Sequence, residues 1–373
     1  MRLIFDLHIL SGISPTASER YLEKLIIALA HRHSEHSFIF LSFKPLIYRE
    51  TLPGNLTIYY LERNYMKLLG KKCWYRYLLP TTLSALEIDL FVTADNLYIR
   101  KVPLRLCVLT ININALLQAQ PFLKNSNADR RSLRRVLGYA DTIISFSGTA
   151  REMIQTCLPA AFSKLTVLKP WITENPLLKW TEKELVKIEF AKGMEYFVFA
   201  GDFDERFDLL GLLKAFSLFK KWQHSNMQLV MVGNKTRWGI NFLEKLASYK
   251  YRNDVQLLFD QSNETEQKII AGAYAFVYPA FYDYFPINIL SAMQSEVPVI
   301  SSPLPVCEEW FGNAVMYPET NDTEGFAKSL QLIYKDEKLR SGFIALAKTH
   351  LSEAGNQAAR EDVMNLLEQS IAK

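Results

Sequence analysis

A pattern of short apolar strands alternating with amphipathic helices runs the length of this 373-residue chain, and it runs through twice. In the first half "RLIFDLHIL" and "SFIFLSF" read as strands. Between them "SERYLEKLIIALAHRH" sets Leu22, Leu25, Ile26, Leu29 and Ala30 at helical spacing. "DLFVTA", "LRLCVLTI", "DTIISFS" and "KLTVLKP" continue the strands, with "ADRRSLRRVLGYA" a helix between two of them. A strand, a crossing helix and another strand close right-handed and give a parallel sheet. The segment "KPWITENPLLKWTEKELVK" breaks the alternation with Pro170 and Pro176 and reads as a linker. Beyond it "EYFVFAGD", "MQLVMVGN", "VQLLFD", "AYAFVYPA" and "VPVISS" are strands, and "AVMYPE" is expected to end the sheet. "LLGLLKAFSLFKKW" and "INFLEKLASYK" are the helices between, and the chain is helical from "TEGFAKSLQLIY" onward. The expected fold is α/β, two Rossmann-like doubly wound parallel-sheet domains facing a central cleft. Residues 1–175 and 190–350 are the expected domains, with helices of about 350–373 returning to the first. Open sheets of this kind take ligands at the carboxyl ends of their strands.

Length agrees, since a chain of this size exceeds one compact core. Apolar residues make up 49% and charged ones 22%, which excludes a disordered chain. A net charge of +4 permits contact with phosphate or acidic lipid without requiring it. The four cysteines show no paired spacing, so a reducing, cytoplasmic setting is expected, with Cys107 a small core residue. The opening apolar run is too short for a signal peptide, and no stretch is long enough to span a membrane. The six histidines form no metal-ligand pattern, His31 and His33 being two apart on a helix, so no metal is expected. "KLLGKKCWYRY" joins Lys67, Lys71, Lys72 and Arg76 to Trp74 and Tyr75, which suits either a lipid-headgroup surface or a solvated helix face. Arg130, Arg131, Arg134 and Arg135 read as a solvated face, and no nucleic-acid motif accompanies them.

Several stretches, in order, resemble the retaining glycosyltransferases of family 4, which have the GT-B fold. "DLHILSGISPTASERYLEKLIIALA" is similar to that family's D-x-x-x-L-S-G followed by T-G-x-G-R-Y. "ADTIISFSGTAREMI" and "KLTVLKPWI" resemble A-D-x-V-I-x-V-S-x-x-S and K-I-x-V-I-x-N-G-V. "FAGDFDERFDLLGLLKAF" resembles V-G-x-x-x-x-R-K-N-x-x-x-L-x-A-F. "PAFYDYFPINILSAMQSEVPVIS" is similar to P-S-x-x-E-G-F-G-L-P-x-x-E-A-M-A-x-G-x-P-V-I-x-S, and "EEWFGNA" to the E-x-x-G-x-A after it.

The resemblance implies a donor site at particular positions. Arg206 falls on the phosphate-binding arginine, while Phe207 stands where a lysine should follow. Asp283 and Ser291 fall on the acidic pair that holds sugar and ribose hydroxyls, with Phe285 and Ile287 in the same donor-binding stretch. Tyr284 and Pro286 replace flexible loop glycines. Asp283 and Pro286 also suit an acid at a helix start and a proline at a first helical position. In "TINI", Asn112 and Ile113 replace a histidine and an aspartate beside the reacting sugar. Asn112 keeps a hydrogen bond but cannot exchange a proton. Ala17 and Glu19 replace two glycines, and Thr16 with Glu19 has the spacing of a capping box, which would set a carboxylate where phosphate is wanted.

The implied function is retaining transfer of a sugar from a nucleotide-diphosphate sugar to a glycan or lipid-linked acceptor. Catalytic roles fall on Asn112 and Asp283, and no cofactor beyond the donor substrate is implied. The expected location is cytoplasmic, with peripheral contact at the inner face of the membrane, and no nucleic-acid partner. The alternative is a catalytically inactive GT-B protein serving as a glycan- or partner-binding subunit, because so many chemical positions are substituted together.

Overall fold

In the computed structural model β1 (Arg2–Asp6) lies between two other strands of a sheet, with Leu3, Ile4 and Phe5 buried. A parallel strand covered on both faces has to be apolar throughout, which is why it reads as a run and not as an alternation. The structure describes residues 1–6, 16–42, 51–60, 73–94, 99, 102–111, 113, 116, 127–170, 177–319, 322–354 and 358–372. It divides into two compact units, Met1–Trp171 with Gln357–Lys373, and Ile172–Asn356.

In the first unit β1 leads to α1 (Ala17–Arg32), β2 (Ser37–Ser42), β3 (Leu56–Tyr60), α2 (Leu79–Ala85), β4 (Leu90–Thr93) and β5 (Arg105–Thr110). Then come α3 (Asn127–Tyr139), β6 (Thr142–Ser145), α4 (Gly148–Cys157) and β7 (Leu165–Val167). The sheet has the order β3-β2-β1-β4-β5-β6-β7 and every pairing is parallel. β3 is an edge strand that the sequence pattern does not announce, because much of it is exposed and Tyr59 and Tyr60 face solvent.

The second unit opens with α5 (Trp180–Ala191), β8 (Tyr196–Ala200), α6 (Leu209–Gln223), β9 (Gln228–Gly233), α7 (Arg237–Ala247) and β10 (Val255–Phe259). It continues with α8 (Asn263–Ala271), β11 (Ala275–Tyr278), α9 (Ile287–Gln294) and β12 (Val299–Ser301). The helices α10 (Pro305–Phe311), α11 (Thr323–Lys335) and α12 (Glu337–Ala354) complete it. Its parallel sheet has the order β10-β9-β8-β11-β12. Helix α5 occupies what the sequence presents as linker: Pro176 precedes it without interrupting it, and it buries Val186 and Ala191. The expected last strand "AVMYPE" contributes one bridge, Ile300 to Met316, and Pro318 follows too soon for a ladder to extend. The final helix, α13 (Ala358–Ala372), belongs to the first unit, where Ser370 donates a 2.8 Å hydrogen bond to Thr142 of β6.

At the start of α1 the Glu19 N–H donates to Thr16 Oγ1 at 3.3 Å, and the Thr16 N–H donates to Glu19 Oε2 at 2.7 Å. The capping box expected from the spacing is formed, and a nearly buried carboxylate occupies this helix terminus. In "KLLGKKCWYRY" Trp74 and Tyr75 are buried in a π-helical turn, and Lys67, Lys71 and Lys72 lie outside the described residues. Arg131, Arg134 and Arg135 are exposed on α3. Among the described residues no helix is long and apolar enough to cross a membrane. Thr16→Ala should lower the unfolding free energy by about 1 kcal/mol. Urea titration should show this as a lower midpoint at an unchanged slope.

Candidate active site

The strand order of the second sheet reverses between β8 and β11, so the loops leaving their carboxyl ends diverge around a shared space. Those loops are laced together. The Asp208 N–H donates to the Pro279 carbonyl and the Phe281 N–H to the Arg206 carbonyl, both at 2.8 Å, and Phe207 bridges Ala280. Gly233, ending β9, closes another side. A Cβ there would stand 1.7 Å from the Gly201 carbonyl oxygen, so only glycine permits this approach of the two strand ends.

Arg206 projects from the β8 loop into a ring of carboxylates. Its Nε donates to both oxygens of Asp204, at 3.1 and 2.9 Å, and its Nη2 to Asp202 at 3.0 Å. Asp202 is held in turn by the Asn234 amide at 2.9 Å. Nη1 makes no hydrogen bond among the described residues, and the side chain remains 23% exposed. Burial alone would lower the Arg206 pKa. The charges of Asp204, Asp283 and Asp202 overcome it and hold the guanidinium well above its ordinary value. Burial pushes the Asp204 carboxyl up, against the pull of Arg206.

Asp283 shares this space. Its Oδ1 accepts the Tyr284 N–H at 2.7 Å and the Phe285 N–H at 2.9 Å, and its Oδ2 accepts the Tyr278 hydroxyl. Burial first, then the neighbouring Asp283 charge, raise the Tyr278 hydroxyl pKa far above the usual phenol range, so it remains a donor. Asp283 therefore ties its own loop rather than capping α9. Pro286 stands at the N-cap, one position before the first helical residue expected for it.

Arg206 and Asp283 thus come together, and Ser291 sits about one turn into α9, partly exposed. The Phe285 and Ile287 side chains are buried, Phe285 edge-on to Trp310, so a ligand could meet only their backbone. Asn112 lies outside the described residues, while its neighbour Ile113 is fully buried. Phe207 is core: it is 3% exposed and packs edge-on against Phe199 and Tyr278, at 5.0 and 5.2 Å between ring centres. Sequence reasoning passed over Asp202, Asp204, Tyr278 and Asn288. The signal for the first two was "DFDER", acids two and four residues before the arginine. Asn288 gave none, although its amide donates to the Ala200 carbonyl at 2.8 Å and its own buried carbonyl oxygen has no partner among the described residues.

Residues 181–350, which hold Arg206, Asp283 and Ser291, match the family model of glycosyl transferases group 1. The chain carries a glycosyl transferases group 1 domain. It is 27% identical over 146 residues to an O-antigen chain mannosyltransferase B of Escherichia coli, covering 39% of this chain and 38% of that protein. It is 22% identical over 224 residues to O-antigen chain mannosyltransferase RfbU of Salmonella typhimurium, covering 60% of this chain and 56% of the relative. The chain thus matches between about two fifths and somewhat over half the length of these relatives. In fold, sucrose-phosphate synthase from Thermosynechococcus elongatus superimposes with a TM-score of 0.80 at 14% identity, covering 100% of this chain and 99% of that one. Anabaena HepE in complex with UDP and glucose gives 0.74 at 13% identity, covering 99% and 100%. These likenesses place both sheets in the GT-B fold.

Within the group 1 domain, Phe207→Lys would put an ammonium into an aromatic core and should cost about 3 kcal/mol or more. Urea unfolding should show that loss, with no gain in nucleotide binding beside the unmodified chain. Asp204 has its folded pKa above its unfolded value, so the folded protein binds more protons between the two. Its contribution to stability then falls as pH rises through that window above the ordinary carboxylate range. Asp204→Asn should flatten this limb of an unfolding free-energy profile taken between about pH 4 and 7.

Proposed function

We propose that this protein is a glycosyltransferase that moves a sugar, with retention of configuration, from a nucleotide-diphosphate sugar to a glycan or lipid-linked acceptor. The observation that carries this reading is Arg206, pinned along one edge by Asp202 and Asp204 so that Nη1 is left at the diverging strand ends. A leaving diphosphate needs preorganised cationic donors, and a guanidinium fixed by its neighbours supplies them without reorganising. Asp283 accepts a hydroxyl of the transferred sugar through lone pairs its three present donors leave, since a carboxylate has about four acceptor sites. Ser291 holds the ribose and the backbone at Phe285 and Ile287 lines the donor, while the resemblance assigns Asn112 its catalytic role. The O-antigen mannosyltransferase relatives support a mannosyl donor and a polysaccharide product. The proposed place of action is cytoplasmic, with peripheral contact at the membrane for a lipid-linked acceptor.

A second reading has its own observation. The Arg206 guanidinium is countered by three carboxylates, and Asp283 is already committed to its loop. Both features suit a GT-B subunit that binds a glycan or partner and turns over no donor.

Calorimetric titration with GDP, UDP and the matching nucleosides separates the two. A donor site should bind a diphosphate, and saturation at 100 times the dissociation constant should add about 2.7 kcal/mol of stability. Arg206→Ala should cost the diphosphate about 3 kcal/mol, roughly a hundredfold, and the nucleoside much less. Arg206→Lys keeps a charge among the carboxylates and loses the fork, so it should fold and still bind diphosphate more weakly. Equal losses for both ligands would remove Arg206 from the phosphate. Absence of nucleotide binding in the unmodified chain would leave the second reading.

A further inference from the structure

The turn between α1 and β2 carries His33, Glu35 and His36, and α13, from the far end of the chain, brings Glu368 to it. We propose that these four side chains form a binding site for a zinc-type divalent cation that fastens α13 to the first unit. The site lies within that unit and is independent of the nucleotide-sugar reading.

The spacing points to an ion. His33 Nδ1, a Glu35 carboxylate oxygen and a His36 ring nitrogen all lie within 4.8 Å of one another. His33 Nδ1 stands 3.3 Å and His36 Nε2 3.5 Å from the same oxygen, Glu35 Oε1, and His36 Nε2 stands 3.0 Å from Glu368 Oε1. Two ligands each about 2.1 Å from a tetrahedral zinc are about 3.4 Å apart, which is close to the 3.3 and 3.5 Å seen along the two edges to Glu35. The two contacts to Glu35 are long for charge-assisted hydrogen bonds, which favour about 2.7–2.9 Å. Two imidazoles with two carboxylates are a borderline donor set suited to zinc, and two carboxylates balance its charge.

The site is also built. Three carbonyls of this turn, from Ala30, His33 and His36, point at one amide nitrogen, Asn55 Nδ2, at 3.0, 3.0 and 2.9 Å. The Phe38 N–H donates to the Asn55 carbonyl at 2.8 Å, so the turn is fixed to the start of β3 and β2 before any ion arrives. The His33 and His36 rings stack at 6.0 Å with 15° between their planes, and only 21% and 11% of their side chains are exposed. Glu35 and Glu368 stay 59% and 46% exposed, which leaves an entry path. The sequence concealed this because Glu368 lies 332 residues from His36, and because His33 and His36 converge through a turn rather than along a helix face.

The test uses the full chain without an affinity tag, stripped by a chelator and titrated with Zn²⁺ against a chromophoric competitor. One equivalent should bind and raise the melting temperature, and Co²⁺ in its place should give the visible absorption of a four-coordinate site. His36→Gln and Glu368→Gln should each weaken uptake at least tenfold. Glu368 is exposed, so Glu368→Gln should leave the circular dichroism of the chain unchanged. No stoichiometric uptake by the unmodified chain, or uptake by both variants equal to that of the unmodified chain, overturns the site. Uptake lost in His36→Gln but unchanged in Glu368→Gln overturns the tether to α13.

Discussion

The charged groups of the candidate site are placed by one constraint: parallel strands covered on both faces are apolar along most of their length. Every residue of β8 and of β9 is buried, and the backbone groups are used in the ladder. Charged groups are displaced to where the strands stop. In the second unit that is where Asp202, Asp204 and Arg206 follow β8, Asn234 follows β9, and Asp283 follows β11. Because β8 and β11 also flank the reversal of strand order, the loops there diverge and the displaced charges meet. The site is a consequence of the sheet before it is anything else.

The same constraint explains what could be read from the sequence. Buried parallel strands announce themselves as apolar runs, so both sheets were legible. Where burial is partial the signal fades, as at β3, and where a proline stops a ladder the apolar run overstates it, as at "AVMYPE". Helix α5 was obscured by the prolines ahead of it, although its own residues are good helix formers. The capping box at Thr16 and Glu19 was legible because it is local: three residues fix both of its bonds. The site was legible only in part. Arg206 and Asp283 could be placed by resemblance, but the carboxylate ring around Arg206 depends on loop conformation, and the approach of Glu368 to His36 depends on where the last helix packs.

The substitutions around the site make more sense together than singly. With Phe207 in place of a lysine, the side chain joins Phe199 and Tyr278 in an aromatic cluster, where a charge would be costly. That cluster fixes Tyr278, whose hydroxyl then has a partner within reach in Asp283. An aspartate, one methylene shorter than glutamate, is held close to its own backbone and accepts the next two N–H groups. Tyr284 and Pro286 suit a loop that is tied rather than flexible. Each change removes freedom that the next would have required.

Such a loop bears directly on catalysis. A mobile glycine loop binds donor by closing, and ordering it costs conformational entropy at every binding event. Here much of that ordering is done in the free protein by the Asp283 bonds and the strand-end lacing. Preorganisation of this kind favours a transition state only if the fixed groups stand where charge develops. On the proposed reading Arg206 would meet that condition on one edge, since its Asp204 and Asp202 contacts take Nε and Nη2 and leave Nη1. Three carboxylates around one guanidinium also make the local charge negative, which opposes an arriving diphosphate unless that remaining edge is close enough to outweigh them. Donor binding at this geometry therefore rests on a single balance, the attraction of one oriented Nη1 against the repulsion of its own supports.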